Sequence, residues 1–166
     1  MRVVPVVSGL AIGVAVLSGV AFTQLAQADD MVTFTVSTSA EYSAGRVDLN
    51  EEGRSPGDMR LLYVPFTGEN GVSGTMSGFA TIVDIPDGED THIDAIGSAV
   101  FSFGDQDSIV ATFKYELLPD GQGTKMDGTQ LQPVIGGTGK FIGAKGQVSV
   151  SEDASGAWVY TFELLD

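Results

Sequence analysis

Val134-Ile135-Gly136-Gly137-Thr138-Gly139-Lys140-Phe141-Ile142-Gly143-Ala144-Lys145-Gly146-Gln147-Val148-Ser149-Val150 reads as strand, glycine turn, apolar anchor and second strand. Gly136, Gly137 and Gly139 permit positive φ or close backbone approach without a Cβ penalty, and Phe141 and Ile142 give the turn apolar side chains to bury. The chain must therefore reverse tightly against a core here. Beyond Gly146, the run from Gln147 to Ser151 alternates polar and apolar, the period of a strand with one wet and one buried face. Glycines ahead of a lysine also invite a nucleotide reading, and spacing rejects it. A P-loop needs glycine at Val134 and Ser or Thr at Phe141, and a dinucleotide fingerprint needs glycine at Ile142. A strand, not a helix, follows, so the helix N-terminus that would hold phosphate is absent. The stretch is a conformational hinge between two strands.

Working outward to the N-terminus, Met1 to Ala28 has the composition of an export signal. Arg2 supplies the positive start, Val6 to Phe22 is an apolar run, and Ala26-Gln27-Ala28 is a small-x-small cleavage site followed by Asp29-Asp30. The rival is a retained membrane anchor, because the apolar run nearly reaches the ~20 residues of a span. No basic stop-transfer cluster follows it, and cleavage is the expectation. Residues 29–166 then form a single domain in a secreted or periplasmic protein. The formal charge of −14 becomes −15 without Arg2, a sign that argues against nucleic acid and anionic membrane surfaces as partners. With no cysteine, export does not here mean a disulfide framework, and a noncovalent core must hold the fold.

The rest of that domain lacks helical periodicity and repeats strand-like runs between glycine, proline and aspartate turns. The strands are expected at Val32 to Thr38, Met59 to Phe66, Val72 to Ile85, Ile93 to Phe103, Ser108 to Leu118, Thr129 to Ile135, Lys145 to Ser151 and Ala157 to Leu165. Each has one richer apolar face: Val32, Phe34 and Val36 in the first, Ile109 to Leu117 at every second position, and Trp158, Tyr160 and Phe162 in the last. Eight antiparallel strands with no helix to cover a sheet face are best satisfied by a closed all-β barrel, which removes the edges. Gly74, Gly78 and Gly97 inside strands suit the bends of a curved sheet. An immunoglobulin-like sandwich is the alternative, but the Cys, Trp, Cys pattern is missing.

Gly57-Asp58, Thr67-Gly68, the run Val72-Ser73-Gly74-Thr75-Met76-Ser77-Gly78-Phe79-Ala80-Thr81-Ile82-Val83, then Phe101-Ser102-Phe103-Gly104-Asp105 and the hinge from Ile135 to Val148 resemble, in order and spacing, the allene oxide cyclase barrel. Plant dirigent proteins share the glycine-turn pattern, and the resemblance covers roughly Gly57 to Leu164 without deciding between the two. It implies a closed eight-stranded antiparallel barrel, often a homotrimer, whose cavity takes a hydrophobic small molecule and steers its cyclisation or stereoselective coupling. It implies no metal and no organic cofactor. The plant cyclases' first-strand glutamate and asparagines have no counterpart in Thr33-Phe34-Thr35-Val36-Ser37, and Met59 to Phe66 contains no asparagine. The dirigent aspartate and arginine positions carry Leu131 and Lys145, so only basic character survives. Lipocalins are a weaker match, since the Gly-x-Trp of a first strand is absent and Trp158 lies near the end.

Ligand-binding candidates are Arg60, Tyr63, Phe101, Phe103, Tyr115 and Lys145, with Glu116 beside them; no catalytic residue is assigned. Arg60 is the most informative of these, because a strand-borne cation facing inward needs a carboxylate from the protein or a substrate. Lys145 depends on parity: if Val148 and Val150 line the interior, it faces solvent. His92 is the sole histidine, without a Ser or Cys nucleophile in a recognisable motif, which argues against a hydrolytic triad, and with no cysteine a zinc site lacks ligands. Pro86-Asp87-Gly88-Glu89-Asp90 and Pro119-Asp120-Gly121-Gln122-Gly123 offer oxygens to calcium but fit no EF-hand pattern. The expected function is binding, with shape-directed cyclisation or coupling, of a hydrophobic small molecule; the alternative is a non-catalytic exported ligand-binding or structural barrel.

Overall fold

A computed structural model describes residues 31–39, 43–50, 52–85, 92–118, 124–125 and 128–165. The segment 1–28 read as an export signal and the turns 86–90 and 119–123 weighed for calcium lie outside the described residues. The strands are β1 (Met31–Thr38), β2 (Ser43–Val47), β3 (Met59–Gly68), β4 (Ser73–Asp84), β5 (Ile93–Ser102), β6 (Ser108–Leu117), β7 (Gln130–Thr138), β8 (Lys145–Glu152) and β9 (Trp158–Leu165). They pair in the order β1-β9-β8-β7-β6-β5-β4-β3-β2, and a further antiparallel pairing of β1 with β3 closes the sheet. β1 and β2 lie one after the other along the same edge of β3, with Thr38 opposite Phe66 and Ser43 opposite Tyr63. The result is a closed barrel of eight staves, the first of which is β1 continued by β2.

All eight sequence-expected strands are present within a few residues. β2 is the addition: Ser43-Ala44-Gly45-Arg46-Val47 has no apolar alternation and is almost wholly exposed, so periodicity had nothing to detect. Elsewhere the period of two sets the interior. Leu62, Val64 and Phe66 on β3, Ile109 to Leu117 at alternate positions on β6, Val148 and Val150 on β8, and Tyr160, Phe162 and Leu164 on β9 are buried.

Small and large residues divide the interior between them. Gly78 and Ala80 on β4 stand opposite Ala99 and Gly97 on β5, and Ala99 stands opposite Ala111 on β6. A Cβ on Gly97 would collide with the Phe79 carbonyl oxygen, so β4 and β5 approach there as only glycine permits. The volume left over that small-residue wall is filled by rings. Phe66 lies 6.1 Å from Phe101, which meets Tyr160 and Phe162 at 5.0 Å each; Tyr160 reaches Phe113 at 6.5 Å, and Phe113 stacks on Tyr115 at 5.4 Å. An aromatic column thus fills the barrel axis, with offset and edge-on geometries that such rings prefer. Among the described residues the barrel is packed at its centre.

Candidate functional site

The space for a ligand lies at one end of this column. A cavity of about 560 Å³ opens there, its floor made by Phe34, Val36, Phe103 and Phe141 and its rim by Glu69, Val72, Lys140 and Ile142. Phe34 is the central ring, 5.0 Å from Phe162 below it, 5.8 Å from Phe103 and 6.0 Å from Phe141. The aromatic column therefore runs up into the floor of the cavity.

Strand pairing explains why the opening is here. β1 pairs with β9 from Met31 to Ser37, but with β3 only from Val36 onward. Ser39 N–H donates to the Pro65 carbonyl at 3.1 Å, and antiparallel hydrogen bonds repeat every second residue, so Ser37, Thr35 and Thr33 turn their backbone groups toward the β3 side. Glu69 and Gly71, which the same register would set opposite Thr35 and Thr33, belong instead to the 3₁₀ turn Glu69–Gly71, which Gly68 N–H closes by donating to Val72 C=O at 2.7 Å as the chain folds back into β4. Thr33 consequently presents its N–H and C=O to the gap, with no described strand opposite.

Two related turns build the rim. The 3₁₀ turns Glu69–Gly71 and Gly139–Phe141 are entered at φ −127° in both cases and left at φ −60° and −59°. Val72 N–H bonds back to Glu69 C=O and Ile142 N–H to Gly139 C=O, at 3.3 and 3.1 Å. Gly139 has φ +60°, and a Cβ there would strike Asp107. That close approach lets the Asp107 carboxylate accept from Lys140 N–H at 3.0 Å and pair with its ammonium at 3.3 Å. The Lys140 N–H, opposed by partial burial and helped by the ammonium, holds the Asp107 carboxyl below the usual carboxylate range. Thr138 Oγ1 donates to Gln106 C=O at 2.7 Å, fastening the same turn to the β5–β6 connection. The ammonium of Lys140 lies 5.0 Å from the Phe141 ring centre and 5.9 Å from that of Phe103, within cation–π range.

Of the sequence candidates, Phe103 lines this cavity. Phe101 and Tyr115 belong to the packed column, at 0% and 9% exposure. Burial pushes the Tyr115 phenol up, with Arg60 opposing, and burial followed by Tyr115 does the same to Tyr160, so both phenols keep their protons at ordinary pH and neither is a base. Arg60 shares the inner face with Leu62 but lies at the opposite end, beside a smaller cavity of about 170 Å³ that Arg46, Arg54 and Asp58 also line. Tyr63 is on the outer face at 54% exposure, because its parity is opposite to Leu62 and Val64. Lys145 is exposed on the outer face, since Val148 and Val150 point inward. Glu116 is also on the outer face, where His92 Nε2 stands 3.7 Å from Asp94 and 3.9 Å from Glu116. These ligand-type atoms fall within 4.8 Å of one another, but the Lys114 and Lys125 ammonium groups already sit against the two carboxylates at 3.5 and 3.6 Å.

Sequence reasoning assigned no site role to Phe34, Glu69, Lys140 or Phe141. Ile142, expected to be buried under the hinge, is 83% exposed on the rim, whereas Phe141 packs inward. The available signal was the pair of strand-ending motifs Thr67-Gly68 and Thr138-Gly139, which place two turns at one barrel end.

No protein-family model and no curated protein matches the chain. Solved structures do resemble it. It is similar to pyocyanin demethylase, at 18% identity and TM-score 0.57 over 81% of this chain and 98% of that one. It is similar to the Diels–Alderase AbmU from Streptomyces koyangensis, at 15% identity and TM-score 0.54 over 85% of this chain and 71% of that one. A third likeness is to AbnU, an exo-specific intermolecular Diels–Alderase, at 14% identity and TM-score 0.54 over 81% and 96% of the two chains. These likenesses establish a shared small-barrel fold and do not single out allene oxide cyclase within it.

Proposed function

We propose that this barrel binds a hydrophobic small molecule in its end cavity and steers that molecule's cyclisation or coupling by holding it in one folded conformation. The observation that carries the reading is a cavity of about 560 Å³ with an aromatic floor, at the open end of a barrel whose axis is otherwise packed. That volume lies within the ~300–1,000 Å³ of small-molecule sites. Glu69 and Lys140 are the ionisable groups among the described lining residues. Orientation is then the main catalytic resource, and it suffices for reactions whose barrier is largely conformational. The solved barrels described as Diels–Alderases support this class of chemistry. The hinge and Gly57-Asp58 motifs favour the allene oxide cyclase and dirigent branch, and the leader at Met1 to Ala28 favours export, with a homotrimer as the assembly implied. A non-catalytic binding barrel is the second reading, favoured by the missing first-strand glutamate.

The test uses N-phenyl-1-naphthylamine, a neutral apolar fluorophore, with the purified protein and a Val72→Trp variant that fills the rim. Wild type should bind the probe at micromolar concentration, and Val72→Trp should lose binding at an unchanged melting temperature. Equal binding by both proteins would remove the cavity as the site.

A further inference from the structure

We propose that the ligand of the end cavity is an amphipathic cation, an aromatic or polycyclic body whose protonated nitrogen is received by Glu69. The proposal rests on the reading of the cavity as a small-molecule site and adds the charge of its ligand. Two charged side chains stand on the rim. Lys140 suggests an anionic ligand, but its ammonium is already matched by Asp107 at 3.3 Å and lies over the faces of Phe103 and Phe141. An incoming anion would have to compete with a carboxylate that is also anchored to the Lys140 backbone N–H at 3.0 Å. Glu69 differs: it is exposed on the rim and makes no ion pair or hydrogen bond through its carboxylate among the described residues. With Lys140 matched by Asp107, Glu69 is the uncompensated charge among the described residues that line the cavity.

Two further features act in the same direction. The Thr33 carbonyl is turned by strand parity into the gap beside β1, offering an acceptor to an N–H donor. The formal charge of −14 gives the molecule a field that concentrates cations and repels anions, over a screening length of about 8 Å at physiological salt.

The experiment compares three probes with one ring system, 2-naphthylmethylammonium, 2-naphthalenemethanol and 2-naphthoate, by titration calorimetry or protein NMR. Wild type should bind the cation roughly threefold to tenfold more tightly than the neutral alcohol, the size expected for one opposite charge across a partly wet contact, and the anion most weakly. Glu69→Gln should bring the cation down to the alcohol, while Glu152→Gln, which removes an equal charge at the far end of β8, should leave the preference intact. Raising salt from about 0.01 M to about 0.5 M on wild type should narrow the gap, a readout that needs no variant. Alcohol binding equal to or tighter than the cation, or preferred binding of 2-naphthoate, overturns the charge assignment and leaves the cavity reading standing. A preference equally reduced in both variants assigns it to net charge and overturns the role of Glu69. Binding of none of the three overturns both.

Discussion

Asp58 shows how one side chain can replace a missing secondary element. Its carboxylate accepts from Leu49 N–H at 3.0 Å, Ser55 N–H at 3.1 Å, the Arg46 guanidinium at 3.1 Å and the Ser55 hydroxyl at 3.3 Å. The side chain is 2% exposed. The described residues between 48 and 58 contain no strand or helix, and Asp58 supplies the acceptor their backbone would otherwise lack. The Leu49 N–H first, then Ser55 and Arg46, hold its carboxyl below the usual 3.8 despite the opposing effect of burial. A depressed folded-state pKa means that the unfolded chain binds the proton more readily. The stabilisation is therefore full above the ordinary carboxylate range and is lost as pH falls through the lowered folded value. Asp58→Asn should lower the melting temperature by roughly 4 °C or more near neutral pH, and its melting temperature should fall less steeply than wild type between about pH 5 and 3. Parallel acid slopes for the two proteins, read by thermal circular dichroism, would contradict this role.

The seam between β6 and β7 is one of the short ladders of the barrel, with four register pairs. Their ladder runs from Ser108 opposite Thr138 to Ala111 opposite Val134, with a register shift, and stops there. Below it the Gln132 side chain imitates a peptide group, accepting from Lys114 N–H and donating to Lys114 C=O, both at 3.3 Å. Gln132 is 8% exposed, so replacing its amide leaves two backbone groups without their partner in a partly buried place. Gln132→Met should cost about 1–3 kcal/mol and accelerate amide exchange at Lys114 more than at Ala111. Uniform exchange rates across β6 would argue against a local latch. This seam also marks the limit of what the sequence carries. The eight staves were legible because alternation and turn glycines are local signals, and Lys145 resolved by parity once Val148 and Val150 were placed. The Gln132 bridge, the β2 continuation and the Glu69 rim each depend on which strand stands opposite, a non-local fact. Tyr63 and Glu116, named as or beside ligand-binding candidates, lie on the outer face, as their alternation with Leu62 and Val64 and with Tyr115 and Leu117 requires.

The molecule as a whole divides into a packed column and an open end, and its charge acts on both. With 22 acidic against 8 basic residues, self-repulsion opposes the compact state, so raising salt from about 0.01 M to about 0.15 M should raise the melting temperature. A flat or falling response would mean that local pairs such as Lys140–Asp107 outweigh net repulsion. The column makes a sharper claim, because Phe162 joins the two regions, touching Phe34 at 5.0 Å on the cavity side and Phe101 at 5.0 Å on the core side. Phe162→Ala should cost about 3–5 kcal/mol, the range for deleting a buried ring, and should also let the cavity floor sink. Phe113→Ala, lower in the column where Tyr160 intervenes, should cost a similar amount without altering the floor. If the cavity is the binding site, the neutral naphthalene probe should lose affinity in Phe162→Ala and retain it in Phe113→Ala, both measured well below their melting temperatures. Equal loss in both variants would show that the ligand senses the whole core rather than the open end, and would place the site elsewhere in the barrel.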